Sequence, residues 1–318
     1  MDAAIRYLLG SVFGVDLSTR FGGALHFFVE DSVKVLFLLY TAITVIGVLR
    51  TYISKQTVEK YIGSKNKFLS SFMASLLAIF TPFCSCSGIP VFLSLIKMRV
   101  PFSAAICFLA VSPLVNEYLL VLMPAYFGFT ITAIYLFGGI AIGMIGGWIL
   151  EKLGMEKHLE ESVSAKAPDF IDYPNFKARL HFGLQEGKEI VQKLWIWILV
   201  GVALGAAVHN YIPDALILKA SNAAGIFSVP LVALLGAPIY GSCAGVVPIA
   251  LIFFSKPIAL GTSIAFLMSV SALSLPEAII LRGAMKLKLL AAFFLTVFLG
   301  IVALGYFINF VSPYILGH

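Results

Sequence analysis

TPFCSCSGIP, residues 81–90, places two prolines, two cysteines, three hydroxyls and a glycine inside a run that is otherwise hydrocarbon. It is either a loop between two membrane spans or backbone broken within the membrane, and its flanks choose between them. Lys65 and Lys67 stand before the apolar run 68–96, and Lys97 and Arg99 stand after it. Basic residues gather at the cytoplasmic ends of spans, so both ends of this run belong on one side. About 13 residues on each side of the break give ~20 Å per arm at 1.5 Å rise, past the middle of a ~30 Å hydrocarbon core but short of crossing it twice. The spacing predicts a re-entrant hairpin over about 68–96 with Pro82, Gly88 and Pro90 at its broken tip. A single kinked span is the alternative; it would reverse every segment after residue 97.

Composition agrees with membrane burial. The chain of 318 residues is 60% hydrophobic and only 12% charged, about half the charge a soluble surface carries. Glu117 is the sole charge from Val100 to Leu150, residues 220–255 have none, Glu277 is alone in 257–281, and none follows Leu289. Such runs exceed the ~18 residues that mark a transmembrane helix. On the hairpin topology the basic loops 50–67, 97–99, 152–193 and 282–288 hold 17 of the 22 Lys and Arg, leaving Arg6, Arg20, Lys34, Lys219 and Lys256 opposite. The net charge of +6 is thus a topological signal and calls for no nucleic acid. The four cysteines all lie in apolar segments, which argues against a disulfide framework.

The chain also repeats itself. SCSG at 85–88 is matched by SCAG at 242–245. Pro82 and Pro238 precede these tetrapeptides, Pro90 and Pro248 follow, then Pro101 and Pro257, then Glu117 and Glu277. The same order of features in both halves predicts an all-α polytopic protein of two inverted-topology repeats, with hairpin tips meeting near the bilayer midplane. The expected divisions are an interfacial segment 1–32, repeat 1 at 33–150, a charged cytoplasmic linker 151–189, repeat 2 at 190–312 with its hairpin over about 222–254, and a tail 313–318. Spans are expected near 33–50, 101–123, 126–150, 191–210, 258–281 and 288–312. Gly139, Gly143 and Gly147 recur every fourth residue, as in a close helix seam, and Cys107 reads as packing.

Irregular backbone at membrane depth is tolerated where it lines a cavity. Helix arms starting near Ser85 and Ser242 would point their positive ends at such a place. Cys84, Cys86 and Cys243 would bring soft sulfur there, suited to a thiophilic metalloid or Cu(I). Ser85, Ser87, Asn116, Tyr240 and Ser242 supply polar contacts around the tips, and Pro113, Pro238, Gly245, Pro248 and Pro276 join Pro82, Gly88 and Pro90 as expected helix breaks. A carboxylate at the bilayer centre costs at least ~2.5–3.5 kcal/mol, so Glu117 (in SPLVNE, beside Pro113) and Glu277 (in SLPE, beside Pro276) are candidates for proton coupling. A neutral carboxyl hydrogen-bonded between helices is the structural alternative for each. No Walker-type phosphate loop is present. The reading calls for no cofactor, resident metal or enzymatic activity; the partners are a small solute and the lipid bilayer, and the oligomeric state stays open.

TPFCSCSGIP, followed by SPLVNE and a second block GAPIYGSC-A-G with S-x-P-E, resembles the signature of the ArsP/YraQ-type permeases over roughly residues 33–312. The resemblance implies an efflux permease of a prokaryotic cell membrane. Members export trivalent organoarsenicals such as methylarsenite, with cysteines implicated in recognition; Cys84, Cys86, Asn116 and Glu117 fall on the matching motif. Two other readings stand beside it: a permease for another small polar or anionic solute or metal held by hairpin-tip amides, and a membrane thiol oxidoreductase using Cys84 and Cys86.

Overall fold

The computed structural model describes residues 19–51, 66–80, 85–98, 100–115, 117–160, 175–211, 225–237 and 259–316. Ten α-helices span them: α1 (Arg20–Arg50), α2 (Lys67–Phe80), α3 (Ser85–Lys97), α4 (Phe102–Leu114), α5 (Glu117–Lys152), α6 (Phe176–Tyr211), α7 (Ser228–Gly236), α8 (Leu260–Ala272), α9 (Leu275–Arg282) and α10 (Leu287–Leu316). Helices satisfy every backbone group within one segment, which is why apolar runs of this length take no other form in lipid. The runs Leu119–Lys152 and Leu287–Ile315 are long and apolar enough to cross a membrane.

Two short helices form the centre. All thirteen residues of α4 are buried, and so is every residue of α8 except Ser271. A helix apolar all round must be wrapped on all sides. Accordingly α4 packs on α2, α3 and α5, and α8 packs on α7 and α10. Like elements of the two halves also meet: α4 touches α8, α5 touches α10, and α1 lies along α6.

The seam expected at Gly139, Gly143 and Gly147 is where α5 closes on α4. A Cβ on Gly143 would stand 2.4 Å from Val111 Cγ2 and 3.1 Å from the Cys107 carbonyl, and one on Gly147 would stand 2.3 Å from the Ser103 carbonyl. Cys107 is fully buried there, and its Sγ donates to the Ser71 carbonyl of α2 at 3.4 Å. A second seam lies between α1 and α6, where Gly183 and Gly187 sit against Thr44, Val48 and Tyr40.

Several boundaries differ from the sequence reading. The first helix begins at Arg20, inside the expected interfacial segment, and α6 begins at Phe176, inside the expected linker 151–189. The expected span 101–123 is divided: Pro113 removes a backbone donor in the last turn of α4, and Val115 leaves helical geometry at φ −102°, ψ 86°. Helix then resumes at Glu117 and continues through the expected gap at 124–125 to Lys152, in two stretches joined by a kink at Gly128, whose non-helical φ of 77° and ψ of 170° suit glycine alone. The expected span 258–281 is divided likewise at 273–274, with Pro276 in the first turn of α9. Each lone glutamate therefore opens a new helix after a break rather than sitting in mid-span.

Candidate functional site

The start of α3 lies against the first break. α3 starts at Ser85, so Ser85, Cys86, Ser87 and Gly88 make its opening turn. Gly88 is buried, and a Cβ there would lie 3.5 Å from Ser112 Oγ. The SCSG turn thus rests on the SPLV turn that ends α4, joining two motifs that the sequence separates by more than twenty residues. Pro113 and Leu114 are buried beneath it.

The break itself is held by a residue the motifs do not include. Helix termination leaves the last carbonyls of α4 without intrahelical partners. The buried Tyr135 hydroxyl of α5 donates to the Leu114 carbonyl at 2.9 Å. Gly139, one turn further along α5, gives room to Val115: a Cβ would lie 2.7 Å from its Cγ2.

The second half contributes α9, which packs on both α3 and α6. Glu277 sits in its first turn and is 1% exposed. Ser274, three residues before it, occupies the N-cap position; S-x-x-E is a capping-box sequence, but the Ser274 side chain makes no cap hydrogen bond. The N-terminal end of a helix dipole favours a carboxylate at this place. A buried acid thus stands at the start of a helix that packs on α3.

Of the other expected site residues, Glu117 and Pro90 are placed through their backbone in α5 and α3. Pro82, Cys84, Asn116, Pro238, Tyr240, Ser242, Cys243, Gly245 and Pro248 lie outside the described residues. Among the described residues no group of three or more His, Cys, Asp or Glu is set to hold a metal ion.

Two further polar clusters fix the ends of these elements. At the start of α4, the Ser103 N–H donates to Glu151 Oε2 at 3.0 Å, and Lys67 at the start of α2 pairs with Oε1 of the same carboxylate. At the start of α8, the Gly261 N–H donates to Asn309 Oδ1 at 2.7 Å. Asn309 Nδ2 donates to Thr262 Oγ1 at 3.3 Å, and Ser228 Oγ at the start of α7 lies 3.3 Å from the same hydroxyl. Both capping bonds join residues 48 apart. Gly147 and Gly305 take matching places, the first against the Ser103 carbonyl and the second against the Gly261 carbonyl. The two halves share this arrangement although Glu151 and Asn309 differ in charge.

The clusters lie far apart. α5 ends beside Glu151, and the chain after it is clamped to the start of α10: Leu159 bridges Met285, the Lys286 N–H donates to the His158 carbonyl at 2.8 Å, and Arg282 pairs with Glu160 at 2.8 Å. Asn309 is roughly 22 residues along α10 from Leu287, about 33 Å at 1.5 Å per residue. The signal for these caps was present but unread: Glu151 is the first charge after an apolar run, and Asn309 is a lone amide in an uncharged one.

The chain is similar in sequence to several known proteins. A family model described as "Predicted permease" (ArsP_1) matches residues 20–310. The UPF0718 protein YcgR of Bacillus subtilis is 21% identical over 81% of this chain and 87% of its own length. The UPF0718 protein YraQ of Escherichia coli is 24% identical over 82% and 75%. A Streptococcus mutans protein described as a two-component membrane permease complex subunit is 26% identical over 54% of this chain, which spans little more than half of that relative, 57%. No solved structure matches the chain significantly. With nearly the whole chain matched from α1 to the last turns of α10, the protein belongs to the ArsP_1 permease family of integral membrane proteins.

Proposed function

We propose that the chain is a secondary-active efflux permease of the cell membrane, built from two inverted repeats with opposed re-entrant hairpins. One observation carries this reading. The run from α2 to α4 begins and ends at Glu151, while the run from α7 to α8 begins and ends at Asn309, about a membrane thickness away. A chain that returns to the end it left, once at each end of the bundle, supports a pair of opposed hairpins. The alternative of a single kinked span would separate Lys67 from Ser103 by the full bilayer, and it finds no support in their shared carboxylate. The basic loops put the Glu151 end, and with it the linker 151–189, in the cytoplasm.

The substrate is small and thiophilic; a trivalent organoarsenical such as methylarsenite keeps its As–CH3 bond and exchanges its two hydroxyls, released as water, for one thiol from each tip, Cys84 or Cys86 and Cys243. Ser85, Ser87, Asn116, Tyr240 and Ser242 add polar contacts, and Glu117 and Glu277 carry the coupled protons. The sulfurs bind and release the cargo without net redox change, so the protein acts as a transporter and not as an enzyme. A second reading rests on the start of α3 within SCSG itself: the opening N–H groups of that helix would hold an anionic solute, with the thiols dispensable.

Accumulation of methylarsenite in everted membrane vesicles tests both. Wild type is expected to accumulate it only under a proton gradient, and Cys86→Ser and Cys243→Ser to abolish this. Transport that survives both substitutions favours the amide reading. A wild type that accumulates none sinks the arsenical assignment.

A further inference from the structure

We infer that the crevice between the start of α2 and the end of α5 is a binding site for one anionic phospholipid of the cytoplasmic leaflet. The crevice has a volume of about 480 Å³, and Lys67, Ile145, Trp148, Ile149, Glu151 and Lys152 line it. Its floor is apolar and its rim is charged. Ile145 and Ile149 are 53% and 42% exposed on the outer face of α5, and Phe68 of α2, also exposed, lies with its ring 6.0 Å from that of Trp148. In a bilayer this face meets acyl chains, and an indole beside lysines marks the headgroup level.

The charges select the headgroup. Glu151 opposes an anion, but its two oxygens are already taken by Lys67 and by the Ser103 N–H. Lys67 remains largely open, its side chain 65% exposed, and Lys152 is exposed and makes no ion pair among the described residues. Two lysines against one engaged carboxylate leave the rim with a net positive charge. Basic pockets between helices on the cytoplasmic side are where anionic headgroups bind. The phosphate is held between Lys152 and Lys67, and the first acyl carbons run down Ile145 and Ile149. The site lies at the bundle edge, apart from the tips and from Glu277, so its occupancy does not depend on what is transported.

The purified full chain in detergent, offered phosphatidylglycerol or phosphatidylcholine, tests this by native mass spectrometry. Wild type is expected to retain one phosphatidylglycerol in preference. Lys152→Gln is expected to lower that occupancy about five-fold, the weight of one basic residue near an anionic surface. Lys152→Arg is expected to restore it, and Lys188→Gln, on α6, which packs on α1 and α9, to leave it unchanged. Thermal unfolding of wild type with each lipid gives a second readout, with a higher midpoint expected in phosphatidylglycerol. Equal retention of the two lipids, an equal loss in Lys188→Gln, or displacement by inorganic phosphate would each overturn the proposal.

Discussion

At the scale of single residues, the first break depends on one hydroxyl. The Leu114 carbonyl is buried where α4 stops, and Tyr135 supplies its donor. Tyr135→Phe keeps the ring and removes that donor, so it is expected to cost about 1–3 kcal/mol, read as a lower unfolding midpoint in detergent. An unchanged midpoint would mean that another group serves the carbonyl. Glu277 is different in kind. Its burial at the start of α9 is compatible with a helix-start anchor as well as with a proton carrier. Glu277→Gln preserves shape and hydrogen bonding but cannot titrate. If the carboxyl carries protons, the variant is expected to fold normally, with gradient-driven accumulation falling to background. Wild-type accumulation by that variant would leave Glu277 a structural residue.

At the scale of helices, the contacts are closest where glycine replaces a side chain. Gly147 brings the backbone of α5 onto the Ser103 carbonyl, and Gly261 brings α8 onto the Gly305 carbonyl, where a Cβ would stand only 1.9 Å away. Neither obstacle is a side chain that can swing aside; both are backbone. Gly147→Ala and Gly261→Ala are each expected to destabilise by about 1–3 kcal/mol as the helix pairs are forced apart. Because the two sites lie at opposite ends of the bundle, their effects are expected to add to within ~0.5 kcal/mol in the double variant, measured by thermal unfolding. Strong non-additivity would mean that the two halves do not pack as separate units.

For the whole molecule, the decisive quantity is which face each run starts from. Single cysteines placed at Asn66, Met98 and Ala259 in a cysteine-free background are expected to divide two against one when labelled with an impermeant maleimide. On the proposed topology the first two, which flank α2 and α3, are expected on the cytoplasmic face, and the third, which precedes α8, on the other. Labelling of positions 66 and 98 from opposite sides would remove the first hairpin and the inverted arrangement with it.

Local chemistry was enough to announce much of this. An apolar chain with its charges confined to loops has to put helices in a membrane. Prolines, a glycine and lone glutamates at matched places lead to the proposed duplication, and basic flanks on 68–96 to the proposed hairpin. The glycine spacing of α5 foretold its seam with α4, because that signal repeats every helical turn. What stayed hidden were the contacts between segments distant in the chain. A reading that measures spans by hydropathy runs α4 into α5 and α8 into α9, although Pro113 and Pro276 already stood as candidates to break them; backbone geometry at Val115 and the Tyr135 donor reveal the first break. Nor does any local pattern announce that Glu151 and Asn309 cap equivalent helices, because one is a charge at a helix end and the other an amide within an apolar helix. Only packing brings each onto a free backbone N–H, and a buried N–H must find an acceptor wherever the tertiary structure puts one.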